Sequence, residues 1–531
     1  MNNTVLLIKV QLINSLGINK LLKGSTSREK VKSGLFVGLM SFVAVMVFIQ
    51  MSAYAWIISD FLQKYKAMEV LIITGTALSL LVCLFMSIYK ASGYLFAFKD
   101  FDLLMSLPLP VRAILTAKLF MLALTNMGLS VLLGFPYFMV FGIRTSAGAM
   151  FYLLSVILLV LSSLLPLTIG SVISLGLGKV SGKSKRTNAI MIAGSFLLLL
   201  LFMLGMLSIN SLTAANLKDI AGSIESLKMA YYPFGLITRA LTELNLTALL
   251  LFCGISIAVF AVFVLLFSRS FKATNAKMQE KYKTSDFKMT ELRVQSIPRA
   301  LFKKELSHYF SSYIYVLNTG FGAVMMLLAA VLFIINREKL PQMLSVFPVK
   351  ISEAFLVTLA MAACVSLTCT TAPSISLEGR NLWIIRTLPL KAQDIFIGKI
   401  CLNLVVAVPA MFLSTTVLAA VFRLSVWEYL LSVGLGCAYS VLMAVAGLVI
   451  NLHFPKLDWN TQTAAVKQSA SVMLAIFTGF LSVIIPIVML VLLKPADIIV
   501  FQLFWLAAAL LADFCAYRYL SRKGAALFRA L

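Results

Sequence analysis

The chain has 531 residues, 61% of them hydrophobic and only 12% charged, with a mean hydropathy of +0.99 and a formal net charge of +25. A soluble domain of this length carries roughly a quarter charged residues, so a soluble globular fold is excluded. The apolar residues run in stretches of about 20, the length that crosses a ~30 Å hydrocarbon core as a helix, without the ten-residue alternation of barrel strands. An all-α polytopic membrane protein with about 12 transmembrane helices is expected.

Residues 1–34 are mixed and basic and read as a cytoplasmic N-terminal amphipathic segment rather than a removable signal peptide. Spans follow at about 35–58, 68–89, 118–142, 149–175, 189–211 and 246–267, a first six-helix half covering 35–267. A basic cytoplasmic linker, 268–312, precedes a second half, 313–517, with spans at about 313–335, 354–376, 401–422, 427–451, 470–493 and 497–517. A basic cytoplasmic tail, 518–531, ends the chain. With the N-terminus inside, 34 of the 45 Lys and Arg residues fall in cytoplasmic segments. The positive-inside rule therefore puts both termini in the cytoplasm, in a multi-pass arrangement.

The excess of positive charge is spread over many short segments without aromatic interleaving, so it suits anionic lipid and not nucleic acid. Seven cysteines (Cys83, Cys253, Cys364, Cys369, Cys401, Cys437, Cys515) lie in or beside apolar spans with no CxxC spacing. Neither a disulfide framework nor a metal site is expected from them.

The most informative pattern is an internal repeat in one constant register. Phe101-Asp102-Leu103-Leu104-Met105-Ser106-Leu107-Pro108-Leu109 returns as Leu382-Trp383-Ile384-Ile385-Arg386-Thr387-Leu388-Pro389-Leu390, and Lys118 returns as Lys399. Both copies fall between the second and third spans of a half, which makes the halves parallel six-helix repeats. Proline forces a turn, after which Val111, Ile114, Leu115 and Lys118 share a helix face, as do Ala392, Ile395, Phe396 and Lys399. A short amphipathic helix at the cytoplasmic surface is expected in each half. It is either a lipid-anchoring elbow with snorkelling lysines or a docking element for a partner. Before the first and seventh spans, Leu6 to Leu12 and Ala300 to Leu306 form a weaker pair of amphipathic stretches.

Six-span halves, an amphipathic segment before each first span and a Leu-Pro element between the second and third resemble the permeases of exporter-type ABC transporters. The likeness is to the type-2 membrane-subunit class, with two halves fused in one chain. The resemblance implies two docking sites for cytoplasmic ATPase subunits, present in two copies: Leu107, Pro108, Leu109, Arg112 and Lys118, and then Leu388, Pro389, Leu390, Gln393 and Lys399. The long outer segment 213–245 fits the family's extracellular helices, whereas the fifth and sixth spans of the second half are joined by little more than Lys494-Pro495-Ala496.

No ATPase is encoded. Gly178 to Ser184 has three residues between its glycines where a phosphate loop needs four, so ATP is expected on a separate subunit and no cofactor on this chain. HExxH and Gly-x-Ser-x-Gly are absent, and His308 and His453 lie near membrane ends, so catalysis within the chain is not expected. The rival is an ion-coupled secondary transporter, whose best carboxylate is Asp513, placed to pair with Arg518 or reach the interface. A non-transporting scaffold or sensor is a third reading. Prolines within spans (Pro136, Pro166, Pro373, Pro409, Pro486) mark kinks.

Overall fold

The computed structural model describes residues 3–15, 27–64, 67–91, 94–95, 101–182, 192–194, 196, 231–279, 295–338, 352–459, 462–467, 469–495 and 497–531. These residues are mainly helical, without strands. Nine of the described helices are long and apolar enough to cross a membrane, and a bent pair makes a tenth. The chain divides into two compact units, Met1–Ser285 and Asp286–Leu531. The division falls inside segment 268–312, which is itself largely helical where described, because the last helix of unit 1 runs on into it.

Unit 1 contains α1 (Asn3–Ser15), α2 (Ser27–Lys64), α3 (Glu69–Ala91), α4 (Phe101–Ser106), α5 (Val111–Arg144), α6 (Ala149–Ser162), α7 (Leu164–Gly182), α8 (Tyr232–Thr242) and α9 (Leu246–Gln279). The fifth span expected at 189–211 lies almost wholly outside the described residues. Leu71, Phe138, Leu158, Ile237 and Phe252, from five of these helices, close one core. Ile114, Leu119, Leu167, Phe267 and Phe271 close a second around the start of α5, with Leu7 of α1 against it. Small residues let the backbones approach, as membrane helices require in the absence of a hydrophobic drive. A Cβ on Gly170 of α7 would stand 2.5 Å from the Ser87 Cβ of α3, and one on Gly75 would stand 2.8 Å from the Tyr137 Cβ of α5. Asp60, at the end of α2, forms an ion pair with Arg144, whose guanidinium lies over Trp56 at 4.1 Å.

Unit 2 contains α10 (Ile297–Ser311), α11 (Tyr313–Thr319), α12 (Phe321–Ile335), α13 (Glu353–Ser366), α14 (Ser374–Glu378), α15 (Leu382–Thr387), α16 (Ala392–Phe422), α17 (Val426–His453), α18 (Gln462–Val466), α19 (Ala470–Leu493), α20 (Ile498–Tyr519) and α21 (Ala525–Ala530). Its main core joins Met326, Phe355, Met411, Tyr439, Val483 and Trp505. The tight turn between α16 and α17 passes through Arg423 in the left-handed region and restarts at a Ser425–Glu428 capping box, the Ser-x-x-Glu signature of a helix start.

Four expectations are corrected here. The seventh span is bent by 47° between α11 and α12. The eighth is not one helix: α13 stops at Ser366, and the chain runs unwound through 367–373 before α14. The surface helix expected after each Leu-Pro-Leu is no separate element but the first turns of α5 and of α16, which continue for 34 and 31 residues. Asp513 makes no ion pair with Arg518 among the described residues. It is buried in α20 with its Oδ1 unbonded, because five residues of helix rotate two side chains about 140° apart.

Candidate functional site

The two Leu-Pro-Leu elements obey one geometry. Every boundary repeats in register: α4 matches α15, and the start of α5 matches the start of α16. Proline at the centre fixes φ and removes a donor, and in both copies the following leucine N–H closes back on the preceding leucine carbonyl at 2.7 Å (Leu109 to Leu107, Leu390 to Leu388). Leu107, Pro108 and Arg112 are exposed in the first copy, as are Leu388, Pro389 and Gln393 in the second. Leu109 and Leu390 are half-buried and tie each turn to its core.

Lys118 and Lys399 are placed differently from the sequence expectation. They are 7% and 1% exposed, so neither snorkels nor is offered to a docking partner in this structure. The reason is periodicity: they continue the Ile114–Leu115 and Ile395–Phe396 stripes, which neighbouring helices cover.

In unit 2 the buried lysine organises an ionic cluster. The Lys399 Nζ donates to Oε1 of Glu305 at 2.9 Å, to Oε1 of Glu378 at 3.1 Å and to the Ser374 carbonyl at 3.4 Å. Lys304 reaches the same Glu305 oxygen at 3.1 Å and also pairs with Glu378. Two ammonium groups thus neutralise two carboxylates brought together from α10 and α14. Burial alone would raise the Glu378 carboxyl, but Lys399 and Lys304 outweigh it and hold it down at about 2. Glu305, more deeply buried, is likewise held below its ordinary value by the same two cations. Burial lowers the pKa of the neighbouring His308, which the two carboxylates offset only in part. Glu305, His308 and Glu378 could present ligand atoms within 4.8 Å of one another. The ammonium groups already seated on both carboxylates oppose a cation there.

The cluster adjoins the unwound segment. Pro373 disfavours helix at Ala372, and the freed backbone groups are taken up by side chains. The Asn403 Oδ1 accepts the Thr370 N–H at 2.7 Å and its hydroxyl at 3.1 Å, while the Tyr315 hydroxyl donates to the Thr370 carbonyl at 2.7 Å. Asn451 accepts from the amides of Ile375 and Ser376 at 2.8 and 3.1 Å and donates to the hydroxyls of Ser376 and Ser471. Trp459 Nε1 donates to the Ser376 carbonyl at 2.8 Å. Thr368, Thr370 and Thr371 are fully buried. Non-helical backbone at membrane depth is tolerated only where protein satisfies it in this way. Gly379, at φ 55°, turns the chain towards α15 under the Trp459 indole, where a Cβ would stand 3.1 Å from Nε1.

Over residues 16–521 the sequence matches the family described as membrane proteins of 12 TMs. The chain belongs to that family. No curated protein and no solved structure matches it. Of the family's twelve spans, the described residues hold nine long helices and the bent pair α11–α12, with the shorter apolar α13 where the eighth is expected; the span expected at 189–211 lies almost wholly outside the described residues. The sequence marked a kink at Pro373 of this 12-TM protein, but neither the unwinding of 367–373 nor the pairing of Glu305 and Glu378 was found from it. The usable signal was Thr-Cys-Thr-Thr-Ala-Pro (368–373) within an apolar span, just before the carboxylate of Glu378.

Proposed function

We propose that this 12-TM protein is the permease subunit of an ABC exporter in a bacterial cytoplasmic membrane. It would move an amphipathic, lipid-like or peptide substrate with ATP hydrolysed on separate cytoplasmic subunits, two copies of one ATPase. The observation that carries this reading is the duplicated Leu-Pro-Leu element, identical in boundaries and turn hydrogen bond in the two halves, with an exposed leucine–proline tip in each copy. Two equivalent tips suit a two-fold partner. Each leads without interruption into a helix long enough to cross the bilayer, so a push on the tip displaces a whole span. In unit 2 the same helix is ion-paired through Lys399 to α10 and α14, so its movement also loads the broken span.

The test is purification of the full chain from native membranes in mild detergent, with ATP hydrolysis assayed in what accompanies it. Wild type is expected to retain a stoichiometric ATPase. Leu107→Glu with Pro108→Glu should insert normally and lose it, and equal retention by that variant would end the docking assignment. A second reading, an ion-coupled secondary transporter, is favoured by one observation, the buried Asp513 with an unbonded carboxylate oxygen. A chain that purifies alone and loses transport on Asp513→Asn would establish it instead.

A further inference from the structure

The two docking tips differ in what flanks them. In unit 2 a cavity of about 380 Å³ opens beside the Leu-Pro-Leu turn, between α15, the first turn of α16 and the C-terminal helix α21. Its walls are apolar, formed by Trp383, Ile395 and Phe528, and its polar edge is formed by Arg386 and Arg529. Phe528 is held edge-on against Phe396 at 5.7 Å, and Arg386 donates to the Arg529 carbonyl, which fixes α21 in place. Both guanidinium groups are exposed, and neither has a carboxylate partner among the described residues. Asp394, the nearest acid in sequence, does not line the cavity. The exposed tip residues Leu388, Pro389 and Gln393 do not line it either, so tip and cavity can be engaged together.

The first copy differs in sequence along this edge. In the register of the repeat, Met105 stands where the second copy has Arg386, and Asp102 where it has Trp383. The first copy's own exposed cation, Arg112, stands on the tip where the second copy has Gln393, so an acid seated beside the turn, and not on the tip, is attracted by the second copy.

Depth selects the class of occupant. The ionic cluster at Lys399 and the amphipathic α10 mark the edge of the hydrocarbon core, because charge is expelled from it. Ala392, at the cavity, lies two turns from Lys399 along α16, about 10 Å of helix. A headgroup layer adds only about 5–7 Å per leaflet. With α16 along the membrane normal, the cavity at its first turn then lies outside the headgroup layer.

We propose that this cavity is a receptor for an acidic side chain carried on an apolar segment of the partner ATPase, so that the two docking sites are chemically unequal and the second is the anchor. The inference rests on the ABC reading above. A carboxylate entering between Arg386 and Arg529 accepts charge-assisted, bidentate hydrogen bonds, while its neighbours fill the space between Trp383 and Phe528.

The experiment uses the full chain with its co-purified ATPase. Arg386→Glu with Arg529→Glu should lower ATPase affinity about tenfold or more, and wild-type binding should weaken steeply with salt. Because the double variant could unseat α21, a second variant, Arg386→Lys, keeps the charge and supplies an amine for carbodiimide cross-linking. It should join to an Asp or Glu of the ATPase, located by peptide mass spectrometry. Wild-type ATPase retention by the double variant, or no cross-link in a complex that still holds its ATPase, overturns the anchor while leaving docking at the tips intact. Loss of a co-purified anionic phospholipid, with ATPase binding unchanged, reassigns the cavity to lipid and also overturns it. A wild-type chain that brings down no ATPase overturns both readings.

Discussion

The second span of unit 1 and its counterpart in unit 2 begin from the same layout and end differently. α3 runs unbroken from Glu69 to Ala91, whereas α13 stops at Ser366 and yields to the unwound stretch 367–373. Three positions in the register of the repeat account for the contrast. Asn403, which takes up the unwound backbone, and Asn451, which accepts from the first-turn amides of α14, stand where unit 1 has Leu122 and Gly170, and Pro373 stands where unit 1 has Ser92. Leu122 fills apolar space, and Gly170 lets α7 touch the intact α3 backbone. α3 stays helical although the buried Asn126 of α5 bonds the Ser87 side chain on it, whereas the stretch 367–373 is unwound where Asn403 bonds the backbone itself. The lesson extends to the lysines: Lys399 is held by two carboxylates at the mouth of the broken span.

The strongest way to break this contrast is Lys399→Met. It leaves Glu305 and Glu378 buried with Lys304 alone, and the loss of a buried partner costs about 3–5 kcal/mol. Thermal unfolding in detergent should fall accordingly, and adding Glu305→Gln should recover part of the loss through non-additivity. No recovery would show that the lysine acts through packing alone.

A smaller effect is expected from making unit 2 resemble unit 1. Asn403→Leu orphans the Thr370 N–H and hydroxyl, at about 1–3 kcal/mol for an unsatisfied buried group. Hydrogen exchange should rise first at 368–376. Exchange rising evenly over unit 2 would mean that Asn403 supports the whole bundle and not the break.

The smallest effect is on pH dependence. Glu378 and Glu305 are held below 4.5, so the stability they contribute is fully present above that value. It is lost as pH falls from about 4.5 towards about 2, the value of Glu378 in the folded chain. His308, lowered from 6.5, adds a modest loss that begins as pH drops below 6.5, because only the unfolded chain then takes up the proton. Unfolding temperatures across pH 7 to 3 should show both limbs, and His308→Asn should remove only the upper one.

Much of the layout was legible because the bilayer imposes it. Apolar length located the spans, and proline with its flanking leucines located both turns to the residue. The ionic cluster was hidden because Glu305, Glu378 and Lys399 come from three separate helices, α10, α14 and α16, and each alone resembles an interfacial charge. Helical phase did place Lys118 and Lys399 on apolar stripes, but which face a neighbour covers is a property of the packed bundle.

The sequence by itself determined the class, the number of spans, the duplication and the two Leu-Pro-Leu turns, since each follows from local length, period or proline stereochemistry. The tertiary structure alone decided that the eighth span unwinds, that Lys399 is buried between two carboxylates and that Arg386 and Arg529 frame a cavity. These depend on side chains meeting across helices, and no local pattern encodes which neighbour supplies the hydrogen bond or the opposite charge.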